Sequence, residues 1–431
     1  MAGTLDRLYS TLVEDEDDHG CRELPESSCR VVPGNAVRLV AGFTLQKLGD
    51  RIADPKTVLA WMLTSLGAPG FVIAMLVPIR ESGALLPQAA LVPIVRRFGL
   101  RSRVWAGGAV GQSVAIAGIG FAGATLTGLG AGIATLVALA GFSLARAVSS
   151  ITAKDVIGKT IPRGNRGSVT GIAASAAGLV AIGAGVVIAI TAQDADASLL
   201  ALIVGMASLL WLGAAGVFLT VDEVPSSAEE TDPAASIKES MSLSRDDAPF
   251  RRFIVARILL LVTALSPPFV VSLSAAVSES SISGVGPFVV ATGVAGLLGS
   301  PVWGRLADQS SRLVMAAAAG AGGMIVLGYL SLRWIGFDST AWLGPAAYLL
   351  LAVAHAGARM GRKTYVVDLG RGETRTRYVA VSNTIIGVVL LAVGLIGAAL
   401  AQIGAEWSLL GLAVTGLAGS VMALGLPEIH D

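Results

Sequence analysis

Charged side chains are scarce in this chain. Only 14% of its 431 residues are Asp, Glu, Lys or Arg, whereas 54% are hydrophobic. A soluble globular domain carries about a quarter charged residues, so the composition excludes a single water-facing globule. The formal net charge of +1 gives no electrostatic reason to expect nucleic acid as a partner.

Residues that bind metals or act as nucleophiles are also few. The chain has three histidines, His19, His355 and His430, and two cysteines, Cys21 and Cys29. They form neither an HExxH motif nor zinc-type cysteine pairs. We therefore expect no enzyme, no metal site and no cofactor. If the N-terminal segment is cytoplasmic, its reducing surroundings predict two ordinary thiols.

Long apolar stretches dominate what is present and predict an all-α integral membrane protein. Each is near the ~20 residues that cross a bilayer as a helix. The twelve predicted spans cover approximately residues 57–77, 79–97, 104–125, 130–152, 168–191, 198–220, 252–275, 284–304, 312–333, 341–361, 379–402 and 407–426.

A polar segment rich in Ser, Pro and acidic residues divides the predicted spans six and six. Such a composition is typical of a solvated linker. Between Val37 and Ile52, apolar residues recur at near-helical spacing, which predicts an amphipathic helix on the membrane or on the helix bundle. The predicted domains are an N-terminal cytoplasmic segment (1–55), an N-terminal six-helix bundle (56–221), the linker (222–250), a C-terminal six-helix bundle (251–427) and a tail (428–431).

Lys and Arg are concentrated in the connections that follow even-numbered predicted spans. Connections with an excess of these residues remain on the cytoplasmic side. The distribution therefore predicts a multi-pass protein of the cytoplasmic (inner) membrane with both termini in the cytoplasm.

The two halves contain similar stretches, which suggests an internal duplication. The stretch "TSLGAPGFVI" begins at Thr64 and "TALSPPFVVS" begins at Thr263. Each places proline inside a predicted span, at Pro69 and at Pro268, where it breaks a backbone hydrogen bond and bends a helix. Broken helices that face a cavity between two repeats are typical of transporters, so these four residues are predicted to line such a cavity.

A nine-residue spacing also recurs in both halves. Arg146 precedes Asp155 by nine residues, and Arg359 precedes Asp368 by nine. The two arginines could extend to the headgroups, bind an anion in the cavity, or pair with the two aspartates in a cytoplasmic gating network. We favour the gating network. The next arginine in each half is predicted to belong to it: Arg166 and Arg377.

The stretch "GRLADQSSR", from Gly304 to Arg312, resembles a loop motif of the major facilitator superfamily. That family has two pseudo-symmetric six-helix bundles. In its loop motif, the residues matching Asp308 and Arg312 hold helix ends together in one state and release them in another. The corresponding N-terminal stretch, "RRFGLRSR", has Arg96 at the aspartate position. The stretches "VPIRESGALLPQ" and "KDVIGKTIPRGNRG" resemble a little-characterised bacterial branch of the family.

Two adjacent charges, Arg80 and Glu81, follow Pro78 near the predicted outer end of the second span. The structural interpretation is a capped helix start, because Pro suits the first turn and Glu stabilises the helix N-terminus. The functional interpretation is an outer gate or a coupling site, because a charged side chain inside the bilayer is energetically costly and is usually functional.

Other polar residues inside predicted spans are candidates for a cavity. His355 could be a hydrogen-bonded structural residue or a proton relay. Gln88, Gln112 and Asn383 could line the cavity or form structural hydrogen bonds. Because acidic residues are rare within the spans, Glu81 and His355 are the candidates for proton coupling.

The resemblance implies a secondary active transporter that moves a small organic solute by rocking of the two halves. A weakly charged cavity would suit an amphipathic solute and export, which we favour, whereas inward-pointing arginines would suit an anion. The alternative is a membrane scaffold or sensor with the same fold and no transport. The predicted partners are the lipid bilayer, the solute and a coupling proton, and the protein is predicted to be a monomer.

Overall fold

A computed structural model describes residues 29, 31–162, 165–191, 197–225, 247–277, 282–338, 340–369 and 373–428, and no β-strand occurs among them. The helices of the N-terminal half are α1a (Val32–Ile52), α1b (Val58–Ser65), α2a (Gly70–Leu85), α2b (Gln88–Arg96), α3 (Arg101–Thr125), α4 (Gly128–Thr160), α5 (Asn165–Thr191) and α6 (Ala197–Leu219). Those of the C-terminal half are α7a (Ala248–Leu259), α7b (Val262–Val277), α8 (Gly286–Gln309), α9 (Ser311–Leu332), α10 (Leu343–Leu369), α11 (Glu373–Ala401) and α12 (Ala405–Leu424).

Twelve helical segments among the described residues can cross a bilayer. Eight helices are long and apolar enough by themselves, and the bent pair α2a–α2b makes a ninth. The other three are α1a with α1b, α8 and α10. The last two are 24 and 27 residues long, which corresponds to about 36 and 40 Å of helix. The predicted multi-pass protein with twelve membrane helices is confirmed.

The helices form two bundles with the same internal packing. In the first, α3 packs against α4 and α6; in the second, α9 packs against α10 and α12. Helix α1 contacts α5 and α6, and α7 contacts α11 and α12 in the same way. Each pairing therefore recurs six helices later, and the predicted two-bundle pseudo-symmetry is confirmed. Because the chain crosses twelve times, α1a begins and α12 ends on one face, which we call the terminal face.

The first two predicted spans are wrong, because the chain turns in the middle of the first one. Gly67 ends α1b with a φ of 73°, and the amide of Ala68 donates to the carbonyl of Leu63. This left-handed glycine cap stops a helix. Pro69 then adopts an extended conformation and begins α2a. The stretch from 57 to 77 therefore contains the end of one helix and the start of the next.

The first membrane helix instead begins with the segment that was predicted to be an amphipathic helix. Helix α1a packs against α5 and α6, and Leu39 and Phe43 are buried. The Phe43 ring lies 5.2 Å from the Phe218 ring. The first bundle thus begins at Val32 instead of residue 56. The polar face of α1a faces a cavity inside the protein. The spacing of its apolar residues fits this location and the membrane surface equally well, so the sequence alone does not distinguish between them.

The two ends of the linker that lie within the described residues are attached to the first bundle and the second. Asp222 forms a 2.6 Å ion pair with Arg38, and Glu223 pairs with Lys159 at 2.8 Å. Asp247 caps α7a by accepting from the amide of Phe250. Residues 226–246 lie outside the described part of the chain, and the remaining domain limits stay predictions.

Cys29 forms a disulfide in the structure. The prediction of ordinary thiols is therefore wrong for this residue. Cys21, the only other cysteine in the sequence, lies outside the described residues.

Candidate functional site

A cavity of about 390 Å³ lies between the two bundles. Helices α1, α4 and α5 of the first bundle and α7, α8 and α10 of the second contribute to its wall. Its charged lining consists of five cations and two carboxylates: Lys47, Arg51, Lys56, Arg146, Arg359, Asp50 and Asp54. Uncharged polar residues complete the lining: Thr263, Thr292, Tyr348 and His355.

Both helices that face each other across the cavity are interrupted beside it. In α1 the interruption covers residues 53–57, where Pro55 lacks an amide hydrogen and the amide of Lys56 donates to Asp54 Oδ1 at 2.9 Å. In α7 the interruption lies at residues 260–261. Interrupted helices expose backbone groups, which in a membrane are tolerated where they line a cavity.

On the side of the first bundle, Asp50 and Arg146 of the cavity lining form an ion pair. Asp50 accepts from Arg146 Nη2 at 2.7 Å and from Arg80 Nη2 at 3.5 Å. Gln112 is fully buried, and its Oε1 accepts from Arg146 at 3.3 Å and from Trp211 at 3.2 Å. Arg80 also lies over the ring of Phe142, 4.8 Å from its centroid. These contacts fix Asp50 as the shared counter-charge of two arginines.

His355 connects both bundles at the interruptions. Its Nε2 lies 3.3 Å from Lys56 Nζ, and its Nδ1 lies 3.1 Å from Thr263 Oγ1. When Lys56 is charged and the imidazole is neutral, Nε2 accepts from Lys56 and the imidazole proton is on Nδ1. Thr263 Oγ1 lies 3.3 Å from the carbonyl of Leu260, in the interruption of α7. The chain of contacts thus runs from α1 through α10 to α7.

Contacts between the bundles seal the cavity toward the face opposite the terminal face. Trp61 packs on Phe288, with ring centroids 5.9 Å apart, and Thr64 Oγ1 donates to Ser272 Oγ at 3.0 Å. Helices α5 and α8 cross at two glycines, where a Cβ added at Gly286 would lie 2.6 Å from the carbonyl oxygen of Gly185. Only glycine allows this approach of the two backbones.

On the side of the second bundle, no described carboxylate forms an ion pair with Arg257 or Arg359. Arg257 is buried and donates to Ser382 Oγ at 2.6 Å and to Asn383 Oδ1 at 2.9 Å, both uncharged. Arg359 lines the cavity. Glu81 is half-buried and acts electrostatically on Lys56, Arg359 and Arg362, yet within the described residues no ion pair joins it to them.

The comparisons with known proteins give a fold. No protein-family model matches the chain, and no curated protein does. Its structure is similar to the inward open conformation of the xylose transporter XylE from E. coli, with 13% identity and a TM-score of 0.64 over 91% of this chain and 96% of that one. A mutant of the nucleoside transporter NupG matches at 12% identity and a TM-score of 0.67 over 91% and 99%. The peptide transporter POT in complex with sulfate matches at 12% identity and a TM-score of 0.63, over 97% of each chain.

The chain has the major facilitator fold. Within this fold, the predicted outer location of Arg80 and Glu81 is wrong. Both lie inside α2a, which begins at Gly70, so they are near the middle of the membrane helix formed by α2a and α2b. The cause is the misplaced boundary between the first two helices. The role of Glu81 and His355 in coupling stays a prediction.

Several predicted cavity residues have structural contacts elsewhere. Thr64 belongs to the seal described above, and Pro69 is the N-cap of α2a instead of a kink within a helix. Gln88 donates to the carbonyl of Ala84, one turn earlier. Thr263 does line the cavity, and Pro268 is buried inside α7b. The match between Thr64 and Thr263 is not one of equivalent positions, since Thr64 is near the end of α1b and Thr263 near the start of α7b.

The predicted ion pairs of the gating network are wrong. Arg146 pairs with Asp50, and Asp155 lies 3.6 Å from Arg101 instead. No ion pair joins Arg359 to Asp368 in the described part of the chain. Helices α4 and α10 continue through both members of each predicted pair. Residues nine apart are about two and a half turns apart, which places them on opposite faces of a helix.

Other members of the predicted network stabilise helix ends. Arg166 donates to the carbonyls of Gly158 and Ile161, at the end of α4. Arg312 pairs with Glu428 and donates to the carbonyl of Leu426 at 3.1 Å. Gly304 lies within α8 and is half-buried. The side chains of two further members lie outside the described part: Asp308 and Arg377.

The charged residues of α1 were not among the predicted site residues, although they supply most of the charged lining of the cavity. Lys47, Asp50, Arg51 and Asp54 recur three and four residues apart, so they share one face of a helix. The same stripe was attributed to a helix on the membrane surface or on the helix bundle. Arg362 was also not selected, because no motif marks it.

Proposed function

We propose that the protein is a secondary active transporter that moves a small organic solute across the cytoplasmic membrane by alternating access. The observation that supports this proposal is the polar cavity between two bundles, at the interruptions of α1 and α7. A cavity sealed on one side and lined from both bundles suits a solute site whose access changes when the bundles rock. The fold shared with transporters of sugars, nucleosides and peptides agrees with it.

In this proposal, Glu81 carries the coupling proton. Four cations from three helices surround it electrostatically: Lys56, Arg146, Arg359 and Arg362. A membrane carboxylate without a direct ion pair can exchange a proton without breaking one. Proton loss restores a counter-charge to these cations and would change which contacts hold the two bundles together.

The rocking motion can be tested with spin labels on the full chain, with both native cysteines replaced by serine. One pair at Phe98 and Leu313 reports the terminal face, and a second pair at Leu126 and Ile403 reports the opposite face. All four positions are exposed. Alternating access predicts two populated distances for each pair, with one lengthening as the other shortens when pH changes. A scaffold or sensor without transport predicts one distance for each pair at every pH.

Replacing Glu81 with Gln tests coupling. Gln keeps the size of the side chain but cannot carry the coupling proton, so we expect the spin-label distances to lose their dependence on pH. The matched control is Glu406→Gln, at the start of α12 and in contact with Arg333 at 3.6 Å. Unchanged pH dependence in Glu81→Gln would refute the assignment of the proton to this residue.

The proposal places both termini in the cytoplasm, because the terminal face carries the Lys- and Arg-rich connections. The direction of net movement favoured from the sequence is export. Proteoliposomes in which the terminal face is accessible to a membrane-impermeant thiol reagent at position 98 give the orientation. Solute exchange measured in that population then gives the direction.

A further inference from the structure

Arg257 is a buried cation with an incomplete set of partners. Its side chain is only 7% exposed, and its Nε has no hydrogen-bond partner among the described residues. Its two partners, Ser382 and Asn383, are neutral. A buried charge without a counter-charge is costly, and a buried donor without an acceptor adds to this cost.

Arg362 links Arg257 electrostatically to Arg359, which lines the cavity. Arg359 and Arg362 are three residues apart on α10, so they lie on adjacent turns of one face. Helix α7a, which carries Arg257, contacts both α10 and α11. Among the described residues, Arg362 is the charged group that interacts electrostatically with Arg257. We call Arg257, Arg359 and Arg362 the three-arginine cluster.

The first bundle does not supply enough negative charge to this cluster. Asp50 is already shared between Arg146 and Arg80. Glu81 acts on Arg359 and Arg362, but it also acts on Lys56 and Arg146. Asp54, the other carboxylate of the cavity, acts on Lys56, Arg80 and Arg51. The cluster therefore retains an excess of positive charge beside a cavity large enough for a small organic molecule.

We infer that the transported solute is an organic anion, and that the three-arginine cluster binds its carboxylate or phosphate group. This inference rests on the transport function proposed above and specifies the class of solute. Arginine suits the role because its planar donors match the oxygens of carboxylates and phosphates. Arg359 meets the anion in the cavity, and the negative charge compensates Arg362 and Arg257 behind it.

Three probe anions test the inference on the detergent-purified full chain: sulfate, inorganic phosphate and succinate, each compared with chloride at equal ionic strength. Ligands that bind the folded state raise the midpoint of thermal unfolding. We expect at least one probe to raise the midpoint of the wild type. Direct titration of that probe should then show at least about tenfold weaker binding to Arg257→Gln and Arg362→Gln, because each variant removes one positive charge that the anion compensates.

The control is Arg103→Gln, which removes the same charge from an exposed arginine on α3 and should leave the affinity unchanged. Without any anion, Arg257→Gln should unfold at a higher midpoint than the wild type, because an uncompensated buried cation is gone. If this variant does not fold, Arg359→Gln removes the arginine that lines the cavity and meets the anion, and weaker binding of the probe is again expected.

No stabilisation of the wild type by any probe, or equal affinity in the wild type and the two glutamine variants, would overturn the inference. The spin-label distances separate this failure from a failure of transport. If each label pair shows two populated distances but no anion binds, the proposed transport function stands and the inference of an anionic solute is wrong. Anion binding with a single distance rejects transport.

Discussion

Replacing Asp50 with Asn is expected to destabilise the protein by about 2–3 kcal/mol, because it leaves two arginines without their shared counter-charge. Asp50 contacts Arg146 at 2.7 Å and Arg80 at 3.5 Å. The side chains of Asp50 and Arg146 remain 20% and 22% exposed, so the effect should fall below that for a wholly buried pair. Equilibrium unfolding in mixed micelles measures the change in free energy.

The matched control is Asp222→Asn. Asp222 also pairs with an arginine, at 2.6 Å, but its side chain is 58% exposed. Exposed pairs contribute little, so we expect a change of about 0.5 kcal/mol or less. The double variant Asp50→Asn with Arg146→Gln should recover part of the lost stability, since one of the uncompensated charges is removed with its partner. Equal effects of the two aspartate variants would contradict the assigned role of Asp50.

Replacing Gly286 with Leu should prevent the two bundles from closing on the face opposite the terminal face. A Cβ at this position would lie 2.6 Å from the carbonyl oxygen of Gly185 and 2.7 Å from the amide nitrogen of Ala189. Backbone cannot yield as a flexible side chain does, and overpacking of this kind costs about 1–3 kcal/mol. The strain is relieved if α5 and α8 separate, which opens the seal. We therefore expect the distance between labels at Leu126 and Ile403 to lengthen and solute exchange to fall at least about tenfold, a change of 1.4 kcal/mol or more.

Gly107→Leu is the control for this substitution. Gly107 lies in α3, and a Cβ there would meet no atom within 4 Å. The same change of residue should therefore leave the label distances and the exchange rate near those of the wild type. A Gly286→Leu protein with unchanged distances would show that the crossing of α5 and α8 does not control access to the cavity.

The sequence predicted the membrane class and the twofold repeat correctly because both depend on properties summed over long stretches. Eight helices carry apolar runs strong enough to identify individually. The resemblance at Gly304–Arg312 pointed to the same fold, although Arg312 contacts Glu428 and the carbonyl of Leu426 in the structure. Such local motifs give the helix ends but not the partner of each charge.

The site was harder to predict because its main helix looks polar. In α1a, charged residues at helical spacing suit a membrane surface as well as an internal cavity. Periodicity does not show whether the polar face contacts bulk water or a cavity inside the protein. The stretch around Gly67 and Pro69 was included in one apolar run, although this glycine and proline end one helix and begin another. That single shift moved Arg80 and Glu81 from the middle of a membrane helix to its outer end.

Hydrophobic length and repetition are properties of the chain, and they were enough to predict a helical membrane protein with two similar halves. The partners of the charged residues depend on the packing of helices that are far apart in the sequence. Asp50 is 96 residues from Arg146, and Lys56 is 299 residues from His355. The first contact depends on how α1 packs within the first bundle, and the second depends on how the two bundles pack. The free energy of a buried charge depends on the partner that this packing brings to it.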